Sequence, residues 1–442
     1  MIRITVDPSK TLGPIRPLHG VGGGPVTRHF TYDATGDFLA AGIPFCRTHD
    51  IEYPFGAGEF VDIHCIFKDF EKDENDPASY NFTFTDEYFK AIVAAGAKPF
   101  VRLGSTIEHQ PIKLYIHPPA DFAKWGRICS RIVAHYNEGW ANGFFMGIDY
   151  WEIWNEPDIP PCWTGTLEQM IDLYAAAASI LKAEHPDIRV GGCAWADPCG
   201  EMPRRWIAAV RERGLPMDFF SWHRYTNDPR SVGEGAATVD ALLREYGFSR
   251  AESIFDEWNY AIWADRLQEC YDLHTRPFEC AFMAAVLAEL QNSPVDKAMY
   301  YDVQMCMSGS WNGVFDTQPE TVHASRRKPK RLPGYYALYA WNELKKLGQQ
   351  IPCRADHPDL YAVAAQGENG ELRLLVSYFK DSAGYNDAPP PPEELLIELP
   401  GERSAAAYVV DETRTFEPVP LPDQRLRLSG NTCALIRFGP EA

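Results

Sequence analysis

The chain has 442 residues, of which 45% are hydrophobic and 23% charged, a composition that is ordinary for a large globular core. Its 42 basic and 61 acidic residues give a formal net charge of −19. Such a surface repels phosphate groups, so neither nucleic acid nor an anionic membrane is expected as a partner. Aromatic residues make up 13% of the chain and fit either a large core or a site that stacks flat apolar faces.

The cysteines and the N-terminus indicate a reducing compartment. Eleven cysteines are scattered without a CxxC pair, which argues against a disulfide framework and against structural zinc. The opening segment MIRITVDPSK has no apolar core of a signal sequence, and the chain has no run of about 18 apolar residues. We therefore expect a soluble, cytoplasmic protein with no membrane partner. The sequence leaves a homo-oligomer open.

The first predicted element, MIRITV, is a β-type run that we expect to join a sheet formed by the C-terminal part of the chain. From about residue 15 to 348, short apolar runs alternate with amphipathic helical stretches, which indicates a parallel sheet. Eight such units predict closure into a (β/α)8 barrel, a fold that takes about 250 residues. The predicted strands are PLHGVG, IPFCRTHD, AKPFVRLG, IDYWEIWNEP, IRVGGCAW, PMDFFSWHRY, ESIFDEWN and KAMYYDVQ, and examples of the helices are 121–137, 167–184, 238–246, 275–291 and 334–346.

After Leu347 the pattern changes to short β-type runs separated by Gly, Pro and Asn, with a hairpin signal in GENG at 367–370. We expect residues 349–442 to form an accessory β-sandwich, joined by the N-terminal strand 1–10, beside a barrel over residues 15–348. The predicted fold class is therefore α/β, a (β/α)8 TIM barrel with a C-terminal all-β sandwich domain.

Two other motifs have ordinary explanations. The glycine cluster HGVGGGP at 19–25 lacks the GxxxxGK[ST] pattern of a phosphate loop, so it predicts the loop after the first barrel strand. The basic run SRRKPKR at 325–331 predicts a solvated loop. The sequence has no HExxH motif and no cluster of Cys and His, so no catalytic metal and no cofactor are expected.

Polar residues collect where the predicted strands end, and in a barrel these ends form the face that carries the chemistry. Glu156 follows the fourth strand and Glu257 follows the seventh, so both are expected at the same mouth. Cleavage of a glycosidic bond needs two carboxyl groups that flank the bond. One donates a proton to the leaving oxygen, and the other attacks the anomeric carbon or activates water. The pair therefore predicts a glycosidase site.

Electrostatics suggests the role of each glutamate. Two carboxylates about 5.5 Å apart repel by roughly 3 kcal/mol at an effective dielectric constant near 20, so one of them should hold its proton near neutral pH. Arg47 and Tyr225 are expected to keep Glu257 ionised as the nucleophile. Glu156 has fewer evident donors, which favours it as the acid/base, and Asn155 is expected to hydrogen-bond the sugar hydroxyl next to the reacting carbon.

Further sugar contacts are expected from aromatic and ionisable side chains at other strand ends and in loops. Each has a structural alternative, such as a buried histidine or a tryptophan that anchors a loop. The candidates for substrate binding are His49, Asn155, His223, Tyr225, Trp311, Arg47, Trp163 and Asp302.

Four segments, CRTHD, WEIWNEP, SWHRY and IFDEWN, together resemble glycoside hydrolase family 39 over most of residues 15–345. This family belongs to a large clan of retaining (β/α)8 glycosidases and includes β-xylosidases and α-L-iduronidases. The β-sandwich tail is similar to its usual accessory domain. The resemblance implies that Glu156 is the acid/base, that Glu257 is the nucleophile, and that the −1 subsite is lined by Asn155, His49, His223 and Tyr225.

The chain departs from the xylosidase members after the third and eighth strands. LGSTIEH follows the third strand, and YYDVQMCMSGSWNGVFD covers the eighth, where xylosidases usually carry carboxylates that hold the sugar. The reaction class survives these changes, but the pocket is expected to differ. The residues that we expect to reshape it are Glu108, His109, Asp302, Gln304, Trp311 and Asn312.

We expect an exo-acting, β-xylosidase-like retaining hydrolase whose substrate is a xylo-oligosaccharide or another glycoside. The sequence leaves other specificities open, namely α-L-arabinopyranosidase, β-galactosidase, β-glucosidase and iduronidase. It also leaves open a transglycosylase with the same two-step chemistry and, as a different class of protein, a non-catalytic carbohydrate-binding barrel.

Overall fold

The computed structural model describes residues 1–26, 32–51, 59–262, 266–303, 311–316, 328–381, 389–399 and 404–439. Its centre is a closed barrel of eight parallel strands, as the sequence predicts, and each predicted strand segment contains or overlaps one of them. Two short strands precede the barrel, β1 (Ile2–Val6) and β2 (Gly13–Pro14). The barrel strands are β3 (Gly20–Gly22), β4 (Phe45–Thr48), β5 (Lys98–Leu103), β6 (Tyr150–Ile153), β7 (Arg189–Trp195), β8 (Phe219–Thr226), β9 (Glu252–Tyr260) and β10 (Lys297–Tyr300).

Helices pack around the barrel, and those expected from the sequence are present. The stretch predicted at 238–246 belongs to a longer helix that begins at Pro229, because Asp228 caps its N-terminus and proline suits the first helical position. The helices are α1 (Thr35–Ala41), α2 (Ile63–Ile66), α3 (Thr83–Ala94), α4 (Phe122–Glu138), α5 (Leu167–Glu184), α6 (Glu201–Glu212), α7 (Pro229–Glu245), α8 (Leu267–His274), α9 (Pro277–Gln291) and α10 (Tyr335–Leu347).

Two sheets formed mainly by the C-terminal part of the chain lie beside the barrel. The strands after the barrel are β11 (Phe315–Asp316), β12 (Lys330–Arg331), β13 (Gln349–Ile351), β14 (Cys353–Ala355), β15 (Leu360–Gln366), β16 (Leu372–Tyr378), β17 (Glu393–Glu398), β18 (Ala405–Asp411), β19 (Arg414–Pro420), β20 (Arg425–Leu428) and β21 (Thr432–Phe438). One sheet has the strand order β14-β1-β17-β20 and the other the order β19-β18-β21-β16-β15-β13-β2. The N-terminal strand β1 pairs antiparallel with β14 and parallel with β17.

The two sheets enclose their own apolar core, in which Ile4 of β1 and Leu395 of β17 pack with Val376 of β16. The other face of the larger sheet packs on the barrel. Leu375 belongs to the main apolar cluster of the barrel, and the Ser377 hydroxyl donates to the Ala281 carbonyl in α9 at 2.6 Å. The helix α9 is therefore covered on both sides.

Part of the basic run predicted as a solvated loop is instead ordered structure. Lys330 and Arg331 form β12, which pairs with β11. Arg331 Nε donates to the carboxylate of Asp37 at 2.8 Å, and Lys328 Nζ lies 3.1 Å from the same carboxylate. Asp37 is fully buried in α1, and a buried carboxylate requires such partners. Residues 325–327 lie outside the described part of the chain.

The ends of the barrel differ in polarity. Large apolar side chains from six strands fill one end, and polar side chains occupy the strand ends at the other. The side chains that fill the first end, hereafter the apolar plug, are Phe45, Phe100, Tyr150, Phe219, Ile254 and Met299.

Every cysteine within the described ranges is a free thiol. None of the helices in these ranges is long and apolar enough to cross a membrane.

Glu279 in α9 is a fully buried carboxyl group, and burial raises its pKa to about 8 against the opposing effect of the Tyr300 hydroxyl. The protonated form of Glu279 therefore contributes its full stabilisation of the folded state below about pH 4. As the pH rises from there to about 8, the unfolding free energy falls by about 1.4 kcal/mol per pH unit. We predict that Glu279→Gln loses less unfolding free energy than the wild type between pH 5 and pH 8, measured by urea denaturation. Glu212→Gln, at an exposed site in α6, should keep the wild-type pH dependence. Parallel curves for wild type and Glu279→Gln would contradict the prediction.

Candidate active site

The C-terminal ends of the barrel strands surround a cavity of about 770 Å³, a volume typical of small-ligand sites. It brings together most of the side chains that the sequence singles out as site residues. Three of the predicted residues, Arg47, Trp163 and Asp302, do not line it. The predicted residues in its lining are His49, Asn155, Glu156, His223, Tyr225, Glu257 and Trp311.

A sharp turn after β6 directs Asn155 and Glu156 into the cavity. Trp154 and Glu156 have φ values of 71° and 46°, in the left-handed region that residues other than glycine seldom adopt. The backbone N–H of Glu156 donates to the carbonyls of Cys193 and Ala194 at 3.1 Å each. Such backbone strain persists where surrounding contacts hold it, and it clusters at functional sites.

The Glu156 carboxylate has two polar partners. His223 Nδ1 lies 2.8 Å from Oε1, and the Cys162 thiol points at Oε2 from 3.7 Å. Burial raises the pKa of Cys162, so this thiol remains a donor. In the sequence, Glu156 has fewer evident donors than Glu257, but local patterns could not show that one of its partners is His223, which comes from β8.

Arg47 is fully buried beneath the cavity floor and contacts four acceptors. It donates to Glu257 Oε1 at 2.6 Å, to Asn155 Oδ1 at 2.7 Å and to Glu152 Oε2 at 2.8 Å, and its Nε lies 3.0 Å from Asp256 Oδ2. With Arg47 at the amide oxygen of Asn155, the amide nitrogen donates one N–H to Cys162 Sγ at 3.9 Å and keeps a second. Arg47 thus orients the site residues instead of lining the pocket.

Glu257 lies within reach of four donors. The Tyr225 hydroxyl donates to Oε2 at 2.8 Å, and Arg47 binds Oε1. His223 Nδ1 is 3.4 Å from Oε2, and His49 Nε2 is 3.6 Å from Oε1. Burial raises the pKa of Glu257, while His223 and Arg47 oppose this shift. The carboxylate is therefore desolvated and held by directed donors.

His49 is oriented by Arg102. Arg102 Nε donates to His49 Nδ1 at 3.1 Å, so the imidazole carries its proton on Nε2. That nitrogen faces Asp50 at 3.1 Å and, beyond it, Glu257. Burial, together with Arg102 and Arg47, lowers the pKa of His49 well below its usual value, so the ring is neutral.

Oxygens of Glu156 and Glu257 and a ring nitrogen of His223 lie within 4.8 Å of one another. These atom types ligate divalent metals, but a histidine binds a metal only through an unprotonated nitrogen. Although burial opposes it, the charge of Glu257 and hydrogen bonds to Asp256 and Glu156 raise the pKa of His223 well above its usual value. This shift in pKa suits the contacts of His223 with the two carboxylates.

The aromatic candidates occupy different places. The Trp311 ring lines the cavity and packs against Tyr225 and Tyr271 with centroid distances of 4.9 and 5.5 Å. Trp163 does not form a sugar platform, because its ring is buried against Trp154 at 4.9 Å and its indole N–H donates to the Thr166 carbonyl. It is the loop anchor that the sequence left as its alternative.

Of the residues expected to reshape the pocket, some line the cavity and others are part of the structure around it. His109 lines the cavity, whereas the Glu108 carboxylate accepts from the backbone N–H of Leu114 and Tyr115 at 2.9 and 3.1 Å. Asn312 is buried and bonds the backbone of its own turn. Asp302 is buried outside the lining, and Gln304 lies outside the described residues.

Several lining residues were not selected from the sequence. Asp50 and Tyr301 stand at the ends of strands two and eight, so the strand-end rule already pointed to them. Tyr271 projects from α8, where nothing in the local pattern distinguishes it from a packing residue. The further lining residues are Ile107, Ile159, Ala196, Asp197, Pro198, Arg224, Thr226, Ser231 and Leu267.

Below the cavity, Glu152 and Asp256 form with Arg47 and His223 a group of buried ionisable residues, hereafter the charge layer.

Comparisons with known proteins show the family and the fold of this chain. Residues 2–308 match the family model described as glycosyl hydrolases family 39. A β-xylosidase of Geobacillus stearothermophilus is 25% identical over 266 residues, which cover 54% of this chain and 51% of that protein. A β-xylosidase of Caldicellulosiruptor saccharolyticus is 24% identical over 337 residues, covering 68% and 64%. The chain thus spans between about half and two thirds of the length of these relatives.

A crystal structure of a glucosidase from Croceicoccus marinus superposes with a TM-score of 0.74 at 21% identity, and the match covers 100% of both chains. At this identity the likeness concerns the fold. The barrel and the sheets beside it are therefore an arrangement shared along the whole length of both chains.

The contacts of Arg47 lead to a prediction about stability. Removing one partner from a buried ion pair costs about 3–5 kcal/mol, because the remaining charges lose their compensation in a medium without water. We expect Arg47→Met to lower the unfolding free energy by about that amount. Arg213→Met is the control, since Arg213 pairs with Asp172 at the same 2.6 Å distance but on the surface, where such a pair is worth about 0.2–1 kcal/mol. Equal losses in chemical denaturation would contradict the account of Arg47.

Proposed function

The chain belongs to glycosyl hydrolases family 39, and on that basis we propose that it is a retaining glycoside hydrolase that acts through a covalent glycosyl-enzyme. The observation that carries the proposal is the separation of the two glutamates. One carboxylate oxygen of Glu156 lies within 4.8 Å of one carboxylate oxygen of Glu257. Retaining glycosidases have carboxyl groups about 5–5.5 Å apart, whereas inverting ones need about 6.5–9.5 Å to admit a water molecule.

In the first step, the Glu257 carboxylate attacks the anomeric carbon while the bond to the leaving oxygen breaks. Glu156 gives its proton to that oxygen. In the second step, water attacks the anomeric carbon, the bond to Glu257 breaks, and Glu156 takes the proton from water. Two inversions at the same carbon yield net retention.

The surrounding contacts support these roles. Arg47 and Tyr225 hold one oxygen each of Glu257, which fixes the direction of attack. The amide nitrogen of Asn155 contacts Cys162 Sγ with one N–H, so its second N–H can hydrogen-bond a hydroxyl of the sugar. A contact that becomes stronger as charge develops on the sugar ring in the transition state lowers the activation barrier. A contact that is equally strong in the bound substrate does not.

For the substrate, we propose a β-xyloside-like glycoside attacked from its end. The curated relatives are β-xylosidases, and a cavity of about 770 Å³ suits a short glycoside. The aromatic side chains of Trp311, Tyr225 and Tyr271 line the cavity and offer apolar ring surface to a sugar. The other specificities stay alternatives, because the segments after the third and eighth strands differ from those of xylosidases.

A panel of p-nitrophenyl glycosides tests the substrate. It comprises the β-xyloside, α-arabinopyranoside, β-galactoside, β-glucoside and α-iduronide. The proposal expects the highest kcat/KM for the β-xyloside, with retention of configuration in early NMR spectra. If another glycoside of the panel reacts faster, the proposed sugar specificity is wrong but the proposed mechanism stands. Product of inverted configuration overturns the mechanism. New glycosides formed with added acceptor sugars would identify a transglycosylase, and no turnover of any member would favour a binding barrel.

We predict that Glu257→Ala abolishes turnover and that azide or formate restores part of it. The truncated side chain leaves room for the anion to attack the anomeric carbon directly, so azide should give a glycosyl azide of inverted configuration. NMR of the product checks the configuration. Trp163→Phe, which changes a buried ring outside the cavity, should retain activity. If Glu257→Ala instead gives a glycosyl azide of retained configuration, Glu257 is the acid/base and Glu156 is the nucleophile.

We predict that Glu156→Ala affects substrates according to their leaving groups. General acid catalysis contributes about 10²–10⁴-fold, and a leaving group that departs without a proton does not need it. kcat/KM should fall by about that factor for alkyl glycosides and far less for 2,4-dinitrophenyl glycosides. Equal losses for both substrates would show that Glu156 is not the acid.

A further inference from the structure

Asp256 is a buried carboxylate directly before Glu257, and the reaction described above does not use it. Strand β9 carries an extra residue here, because its pairing with β8 passes from Phe255 to Glu257 and omits Asp256. Successive side chains of a strand normally point to opposite faces, whereas a β-bulge breaks that alternation. Asp256 and Glu257 are therefore consecutive, and yet both carboxylates reach Arg47 inside the barrel.

The contacts of Asp256 connect the two sides of the site. Its Oδ2 lies 3.0 Å from Arg47 Nε, and its Oδ1 lies 3.4 Å from His223 Nε2. Arg47 in turn donates to Glu257 at 2.6 Å, and His223 Nδ1 lies 2.8 Å from Glu156. One buried carboxylate thus touches two cations, and each cation touches a different glutamate of the proposed reaction.

We propose that Asp256 is a positioning residue that holds Arg47 against Glu257 and His223 against Glu156, and so links the two reacting carboxyl groups. This inference rests on the proposed function. A histidine with a carboxylate at each ring nitrogen keeps a proton on both nitrogens. His223 can then donate from Nδ1 to Glu156 whenever Glu156 has given up its own proton, which stabilises the product of the acid step.

The two cations of the charge layer, Arg47 and His223, are balanced only if Asp256 is an anion beside the Glu257 carboxylate that both contact. Burial raises the pKa of Glu152 well above its usual value against the attraction of Arg47, so Glu152 stays neutral. Although burial opposes it, Arg47 and His223 lower the pKa of Asp256 to about 2. The anions Asp256 and Glu257 then match the two cations. In a site without water such charges interact strongly, so removing one of them affects all the others.

The first test reads the protonation of His223 directly. NMR of protein labelled with ¹⁵N-histidine is recorded between pH 5 and 9 for wild type, Asp256→Asn and Glu279→Gln, and His223→Gln identifies the signal. In wild type and in Glu279→Gln, whose changed residue is a buried carboxyl outside the layer, His223 should remain an imidazolium at pH 7. In Asp256→Asn its titration midpoint should fall by about 1–3 units, the usual effect of losing a nearby opposite charge.

An unchanged His223 titration in Asp256→Asn overturns the proposal. If that variant does not fold, the wild-type spectrum decides alone, because a neutral His223 at pH 7 also overturns it. These spectra need no substrate, so they distinguish a failure of this inference from a failure of the proposed function.

The second test is kinetic and uses alkyl and 2,4-dinitrophenyl glycosides. Asp256→Asn should lower kcat/KM by roughly 10²-fold, the usual effect of misplacing reacting groups. The loss should be similar for both substrates, because Asp256 supports the nucleophile through Arg47 as well as the acid through His223. Glu279→Gln should stay within about twofold of wild type, since it lies outside the site. A loss confined to alkyl glycosides would refute the link to Glu257, and no loss would refute the proposal.

Discussion

The site depends on one buried cation, Arg47. Its guanidinium group reaches Glu152, Asn155, Asp256 and Glu257 without any access to water. Arginine suits this place because its planar group carries five donors and keeps its charge at all relevant pH values. A lysine would supply a charge but could not hold four acceptors in fixed directions. The positions of Glu257 and Asn155 therefore follow from a side chain that itself does not line the cavity.

The second constraint is that two carboxyl groups within 4.8 Å must behave differently. The structure surrounds each with a different set of donors. Glu257 faces Arg47 and the Tyr225 hydroxyl, whereas Glu156 faces His223 and a thiol. In the proposed reaction, a permanent cation and a hydroxyl suit a nucleophile that stays ionised. An imidazolium that donates from Nδ1 suits a group whose carboxylate must be stabilised after it has given up its proton.

The backbone departs from regular geometry at the places where this site is formed. β6 ends in a turn with left-handed residues at Trp154 and Glu156, and β9 carries an extra residue at Asp256. A regular strand presents every second side chain to the barrel interior. With these two irregularities, the adjacent residues Asn155 and Glu156 both enter the cavity, and Asp256 and Glu257 both reach the interior. The apolar plug fills the other end of the barrel.

Much of this arrangement is readable in the amino-acid order. Alternation of apolar runs and amphipathic stretches is a local property, so the eight strands, their helices and the place of Glu156 and Glu257 at the strand ends follow from it. The sequence also predicts that β1 joins a sheet of the C-terminal part, but not which strands it pairs with. It leaves Trp163 as either a sugar platform or a loop anchor, and the packing of its ring on Trp154 decides between them. Local patterns carry little information about contacts between residues far apart in the chain, such as the one between His223 and Glu156. Strand periodicity also could not reveal that Asp256 faces inward, because the bulge that turns it is defined by the pairing of β9 with its neighbours.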